Sequence, residues 1–168
     1  MLVLTRVDNR LIHGQVIQTW VPQLSVRRIL VVDDAASASP LTRAAMSLAV
    51  PPGIGVTIVS FAEADFRALA AAPEQTLLLV REVADALRAR ERGATTRALN
   101  IGNVHFAPGR VPITPSVFLR PDELASLAAL AQSGVEVEFR AVPKEKAVTL
   151  AEAQAKLAAT AASSPKSP

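Results

Sequence analysis

The feature that most constrains this chain is alternation. Short runs of β-branched and other aliphatic residues take turns with longer helical stretches, and Pro or Gly marks most of the changes. Leu2–Val7, Arg28–Asp33 (RILVVD), Gly55–Ser60, Thr76–Val80 and Ala98–Gly102 read as strands. Between them, Gly14–Val21 reads as a helix ended by Pro22, Pro40–Val50 as one closed by Pro51-Pro52-Gly53, Ala62–Ala72 as one stopping before Pro73, and Val83–Arg92 as one capped by Gly93. Beyond the Gly- and Pro-containing loop Asn103–Pro112 come a brief strand at Ile113–Phe118, a helix at Pro121–Gln132 and a strand at Val135–Ala141 with one wetter face. This order predicts an α/β fold: a doubly wound, mainly parallel sheet with helices on both faces, in a single domain. Residues 1–150 carry the pattern. The tail, 151–168, is Ala-rich and then Ser-Ser-Pro-Lys-Ser-Pro, which predicts a helical start and a disordered end.

Composition narrows the chemistry. With 168 residues, half of them hydrophobic and a fifth charged, the chain can bury a sizeable core. Zero cysteines exclude a thiol nucleophile, a disulfide framework and cysteine-ligated zinc or iron–sulfur sites. A net charge of +3 spread along the sequence, with 4% aromatics, argues against nucleic acid as a partner. No run reaches the roughly 20 apolar residues of a membrane span. Met1-Leu2-Val3-Leu4-Thr5-Arg6 is charged too soon for a signal peptide, so a cytoplasmic location is expected.

Open parallel sheets bind ligands at the carboxyl ends of their strands, which directs attention to Asp8–His13, Asp33-Asp34, Arg81-Glu82 and Asn100–Phe106. The first is the richest. Arg6, Asp8, Arg10 and His13 fall within eight positions, with Gly14 and Gln15 opening the next helix. A neutral imidazole has a lone pair that can attack phosphorus near pH 7. Arg10 offers a two-pronged guanidinium, and backbone amides from Gly14 onward at a helix start make an anion site. Asp8 could orient Arg10 or fix the imidazole tautomer; Arg6 adds positive field or supports the sheet. The same residues also fit a capping histidine among ordinary loop ion pairs, and spacing alone leaves both readings open.

The other candidates are weaker. His105 could support a phosphate or a partner, or be an unrelated loop residue. A metal site from His13, His105 and Asp33 or Asp34 lacks any ligand spacing, and neither a P-loop nor a G-x-G-x-x-G motif follows the first strand. Asp33 and Asp34 fit helix capping or bracing of an arginine. Trp20 fits core or groove lining, with an interface role if exposed. Arg27, Arg28 and Arg81 read as solvated charge or as docking groups for an acidic partner.

The stretch RVDNRLIHGQV resembles the signature of the enzyme IIB subunits of the mannose/fructose/sorbose family of the bacterial phosphotransferase system. The resemblance continues through ILVVDDAAS, Met46, Ala49 and Pro51-Pro52-Gly53-Ile54, through Leu99-Asn100-Ile101-Gly102-Asn103 with His105, Phe106 and Gly109, and through Gly134–Val137 and Arg140–Pro143, covering about residues 2–150 in order. It implies a doubly wound sheet and a protein-N(π)-phosphohistidine–sugar phosphotransferase of the IIB type. Such a subunit takes a phosphoryl group from a IIA phosphohistidine and passes it to a sugar moving through membrane subunits IIC and IID. That would place it at times against the inner face of the membrane. His13 stands at the position of the phosphorylated histidine, Arg10 at that of the arginine holding the phosphoryl group, and Asp8 at the acidic position. No metal or other cofactor is implied. Many members carry a second Gly and a Met where Asn103 and Val104 stand here, a departure that bears on sugar preference and partner fit. A regulatory module phosphorylated on the same His without a dedicated transporter is the alternative. The sugar, the oligomeric state and the imidazole nitrogen that carries phosphate are not legible in the sequence.

Overall fold

The central strands explain the layering. In the computed structural model, which describes residues 1–163, β2 (Arg28–Val32) and β4 (Thr76–Val80) are aliphatic on both faces. Ile29, Val31, Leu77 and Leu79 join one buried cluster, and Leu30, Val32, Leu78 and Val80 join the other. A strand buried on both sides must be covered on both sides. The first cluster is closed by Val16, Ile17, Trp20 and Val21, with Ala36 beside them. The second is closed by Phe66 and Leu69, by Val83, Ala86 and Ala89, and by Leu124, Leu127 and Ala153.

The sheet has the order β3-β2-β4-β1-β5-β8-β9, with β1 Leu2–Asp8, β3 Gly55–Val59, β5 Ala98–Asn103, β8 Glu136–Phe139 and β9 Val148–Thr149. Every pairing is parallel except β8–β9. After β1 the chain crosses to β2, beyond the place that β4 later fills, and after β4 it crosses to β5 on the other side of β1. The order therefore reverses at β1, and the crevice at its carboxyl end is where such sheets hold ligands.

The helices are α1 (a π-turn, Val16–Trp20, continuing as an α-turn, Val21–Gln23), α2 (Asp34–Ala38), α3 (Pro40–Leu48), α4 (Phe66–Ala71), α5 (Val83–Glu91), α6 (Pro121–Gln132) and α7 (Leu150–Ser163). Several differ from the sequence expectation. Pro22 does not end the first helix. It sits just after the π-turn, whose wider winding relieves the clash of the ring with the preceding turn. The helix expected from Ala62 starts at Phe66, because Asp65 caps the amides of Arg67 and Ala68. The expected strand at Ile113–Phe118 is instead a separate hairpin, β6 (Val111–Thr114) with β7 (Val117–Leu119), whose turn falls at its middle. Helix α2 and strand β9 are too short to leave a periodic signal. The tail begins as α7, which buries Ala153 and anchors Lys156 Nζ on the Ile113 carbonyl (2.6 Å). The disordered end expected at Ser-Ser-Pro-Lys-Ser-Pro lies, from residue 164 on, outside the described residues.

Candidate functional site

Asp8 is the hub. It is the last residue of β1, fully buried, and each carboxylate oxygen meets two donors. Oδ2 accepts from Arg6 Nη2 (2.8 Å) and bonds to His13 Nε2 (2.9 Å). Oδ1 accepts from the Arg10 backbone N–H (3.1 Å) and from Arg10 Nε (3.3 Å). Burial alone would raise the Asp8 pKa, but the His13 hydrogen bond and the Arg6 charge outweigh it and hold the carboxyl at about 2. Asp8 is therefore ionised at neutral pH and can only accept, so His13 Nε2 carries the proton. The Nδ1 lone pair is left facing away from the carboxylate, on a ring 16% exposed.

The loop geometry follows from local rules. The Leu11 N–H closes a turn on the Asp8 carbonyl (2.9 Å), and Leu11 holds a left-handed φ of 57° with its side chain fully buried. Strain of this kind in a branched residue is held in place by the core beneath it. The turn delivers His13 to the start of α1, where the Ile17 N–H reaches the His13 carbonyl (3.1 Å). The amides of Gly14 and Gln15 precede the helical hydrogen-bond ladder. Arg10 is 41% exposed, and its Nη2 donates to Gln15 Oε1 (3.1 Å).

Arg6 lies wholly inside the protein. Its guanidinium binds Asp8, Asn100 Oδ1 and the Arg140 carbonyl, and packs 5.2 Å from the Trp20 ring centroid. Burial lowers the Arg6 pKa, and the Asp8 charge and hydrogen bond offset only part of that. Gly102 makes this possible, because a Cβ there would overlap the guanidinium. The ladder slips at this point: Val7 pairs with Ile101, but Asp8 pairs with Asn103, leaving Gly102 as the extra residue. Trp20 is buried, donating Nε1–H to the Ala141 carbonyl (2.9 Å), so the interface role considered for it does not hold.

The remaining candidates separate. His105 meets the site through its backbone, whose N–H donates to Asn9 Oδ1, while its side chain is exposed. Asp33 caps α2 through the Ala36 N–H (2.7 Å) and binds Arg81 (2.6 and 3.1 Å), doing both things expected of it. Among the described residues, no three His, Asp or Glu side chains gather to hold a metal.

The family described as "PTS system sorbose subfamily IIB component" matches residues 2–164. The chain belongs to the sorbose subfamily of IIB components. It is similar to the N-acetylgalactosamine-specific phosphotransferase enzyme IIB component 2 of Escherichia coli K12, at 33% identity over 150 residues, 89% of this chain and 96% of that one. It is similar to the mannose-specific EIIAB component of the same strain, at 30% over 152 residues, 88% of this chain but 47% of that longer one. The solved IIBSor domain of the sorbose permease of Klebsiella pneumoniae superposes with a TM-score of 0.80 at 28% identity, covering 92% of this chain and 96% of that one. As a IIB component, the protein is a phosphotransferase of the sugar phosphotransferase system, and no described helix is long and apolar enough to cross a membrane.

Two residues of this cluster lie in stretches that the sequence singled out but carry roles that it did not assign. Asn9 spends its whole amide joining three loops: Nδ2 donates to the Arg81 carbonyl (2.8 Å) and Glu82 Oε1 (2.9 Å), and Oδ1 accepts from His105. Asn100 bridges Arg6 to Glu138 (3.1 Å). Their sequence signal is position alone: Asn9 directly follows β1, and Asn100 lies inside β5.

Proposed function

We propose that His13 carries the phosphoryl group, on Nδ1, and that Arg10 with the amides of Gly14 and Gln15 holds its oxygens. The observation that carries this reading is the Asp8–His13 bond, which commits Nε2 to its proton and leaves Nδ1 as the nucleophile. The donor is the phosphohistidine of a IIA protein or domain, a partner suggested by the fused EIIAB relative. The His13 Nδ1 lone pair forms the new N–P bond as the donor's N–P bond breaks and its electron pair returns to the donor ring. The His13 ring becomes cationic at that moment, with its Nε2 proton facing the Asp8 carboxylate, which stabilises the charge. In the second step a sugar hydroxyl attacks phosphorus, the P–Nδ1 bond breaks, the imidazole returns to its neutral form and the hydroxyl proton is released. Arg10 is the exposed member of the set and follows the phosphoryl group through both steps.

The acceptor in this reading is a hexose or hexose derivative moving through IIC and IID subunits, in line with the N-acetylgalactosamine, sorbose and mannose named for the relatives. The protein works in the cytoplasm and meets the membrane through those subunits. Arg6 and Asp8 are positioning residues, and His105 contributes through its backbone.

The test is intact-protein mass spectrometry after incubation with phosphoenolpyruvate, the general phosphotransferase proteins and a IIA partner. One acid-labile phosphoryl adduct is expected on the wild type and none on His13→Ala. An adduct of equal yield on His13→Ala would refute the assignment.

A further inference from the structure

Among the described residues four large hydrophobic side chains stand exposed: Met1, Leu41, Leu48 and Phe106. Met1 lies at the opposite edge of the sheet from His13, its amino group on the carbonyls of Ala72 and Glu74. Leu41 and Leu48 lie on α3. Phe106, 69% exposed, is the one in a loop leaving a strand paired with β1, at the carboxyl edge that carries His13.

This loop is tightly held. The His105 N–H is bound by Asn9 Oδ1, and the Asn9 N–H is bound by the Asn103 carbonyl (2.9 Å). The His105 carbonyl accepts from Arg110 Nη1 (3.0 Å). Arg110 is nearly buried and is itself clamped by Glu82 (2.7 Å) and Glu123 (2.9 Å). The Phe106 ring rests edge-on against Phe118, with centroids 5.9 Å apart and planes at 87°. An apolar ring is thus presented to solvent on a backbone pinned at both sides of the preceding residue. A group held this way loses little freedom on binding, and rigid aromatics are the usual energetic anchors of small interfaces.

We propose that Phe106 is the anchor by which the phosphohistidine-bearing IIA protein docks over His13, seating in an apolar depression beside the donor histidine. The inference rests on the reading of His13 as the phosphorylated residue. Transfer between two imidazoles brings both proteins within the span of one phosphoryl group, so the donor's surface must lie over the carboxyl edge of β1. Phe106 stands in that footprint, because Asn9, which fixes its loop, is the residue between Asp8 and Arg10. The IIA partner is favoured over the membrane subunits because a relative of this chain joins IIA and IIB in one polypeptide, and because the donor's imidazole must be brought to His13 by the protein surface that surrounds it.

The experiment measures steady-state phosphorylation of the full chain by phospho-IIA, for wild type, Phe106→Ala, Phe106→Leu and the control Leu41→Ala. Sugar phosphorylation from protein already phosphorylated is measured in parallel with membranes containing the transporter. For Phe106→Ala the KM for phospho-IIA should rise about tenfold, with kcat within about twofold, the leucine variant in between and the control unchanged. The sugar step should not move. A KM unchanged by Phe106→Ala overturns the proposal, as does a loss confined to the sugar step or a fall in kcat alone. Wild-type phosphorylation in the same assay separates the two ideas. If the wild type is phosphorylated on His13 and Phe106→Ala behaves identically, only the anchor fails; a wild type that takes no phosphate sinks both.

Discussion

Replacing Asp8 with Asn tests the site at its hub. The carboxylate has two acceptor oxygens facing four donors, from Arg6, His13 and Arg10. An amide keeps the shape but turns one oxygen into a donor. Either Arg10 or the Arg6–His13 pair then faces an N–H, and the buried Arg6 guanidinium loses its counter-charge. The lowering of the Asp8 pKa from 3.8 to about 2 corresponds to about 2 kcal/mol of folding stability at neutral pH. Leaving one member of a buried pair unmatched costs about 3–5 kcal/mol, so the loss for Asp8→Asn at pH 7 should fall in that range, with the smaller figure as a floor. The sign with pH follows from the depressed pKa. The contribution is complete above the unfolded value of 3.8 and fades as pH falls towards about 2, where wild-type Asp8 is protonated as well. Urea unfolding of both proteins at pH 7, and at steps down towards the folded-state pKa, reads this directly. The stability gap should be wide at pH 7 and narrow over the acid steps, and phosphorylation of the variant should be slow. A gap under about 0.5 kcal/mol at pH 7, or one that does not change with pH, would refute the account of Asp8 as a buried, charge-bearing hub.

Gly102→Ala should destabilise the fold by about 1–3 kcal/mol and slow phosphorylation, because the new Cβ displaces the Arg6 guanidinium from Asp8 and Asn100; a melting temperature equal to wild type would show that Arg6 has room to move. Arg10→Ala should leave the melting temperature unchanged, since the side chain is substantially exposed. It should slow phosphorylation and shorten the lifetime of the phosphohistidine in a quench-and-decay assay, and unchanged kinetics would remove Arg10 from the mechanism.

Much of the architecture was written in local chemistry. Runs such as ILVV and LLLV, aliphatic at every position, fit strands covered on both faces, and the Pro and Gly between them fixed the order of elements. The cluster Asp8, Arg10, His13 could be found because all three sit within six positions at one strand end, and sequence proximity there is spatial proximity. What failed was what local signals do not encode. Pro22 reads as a helix end until the π-turn before it is known, and the β6–β7 hairpin reads as one strand because its turn lacks Gly.

The sequence by itself determined the layered fold and the chemical types of the site. Only the tertiary structure decided the roles within it. Arg6 is the clearest case: nothing along the chain says whether its side chain supports the sheet or the site. A slip of one residue between β1 and β5 brings Gly102 beside it and gives the guanidinium a place under Asp8. The tautomer of His13 was decided the same way, by a carboxylate kept ionised by groups from β1 and the loop after it. The Asn9 clamp joins residues up to 96 positions apart. Such pairings depend on strand order and register, which are settled only when both faces of the sheet are packed.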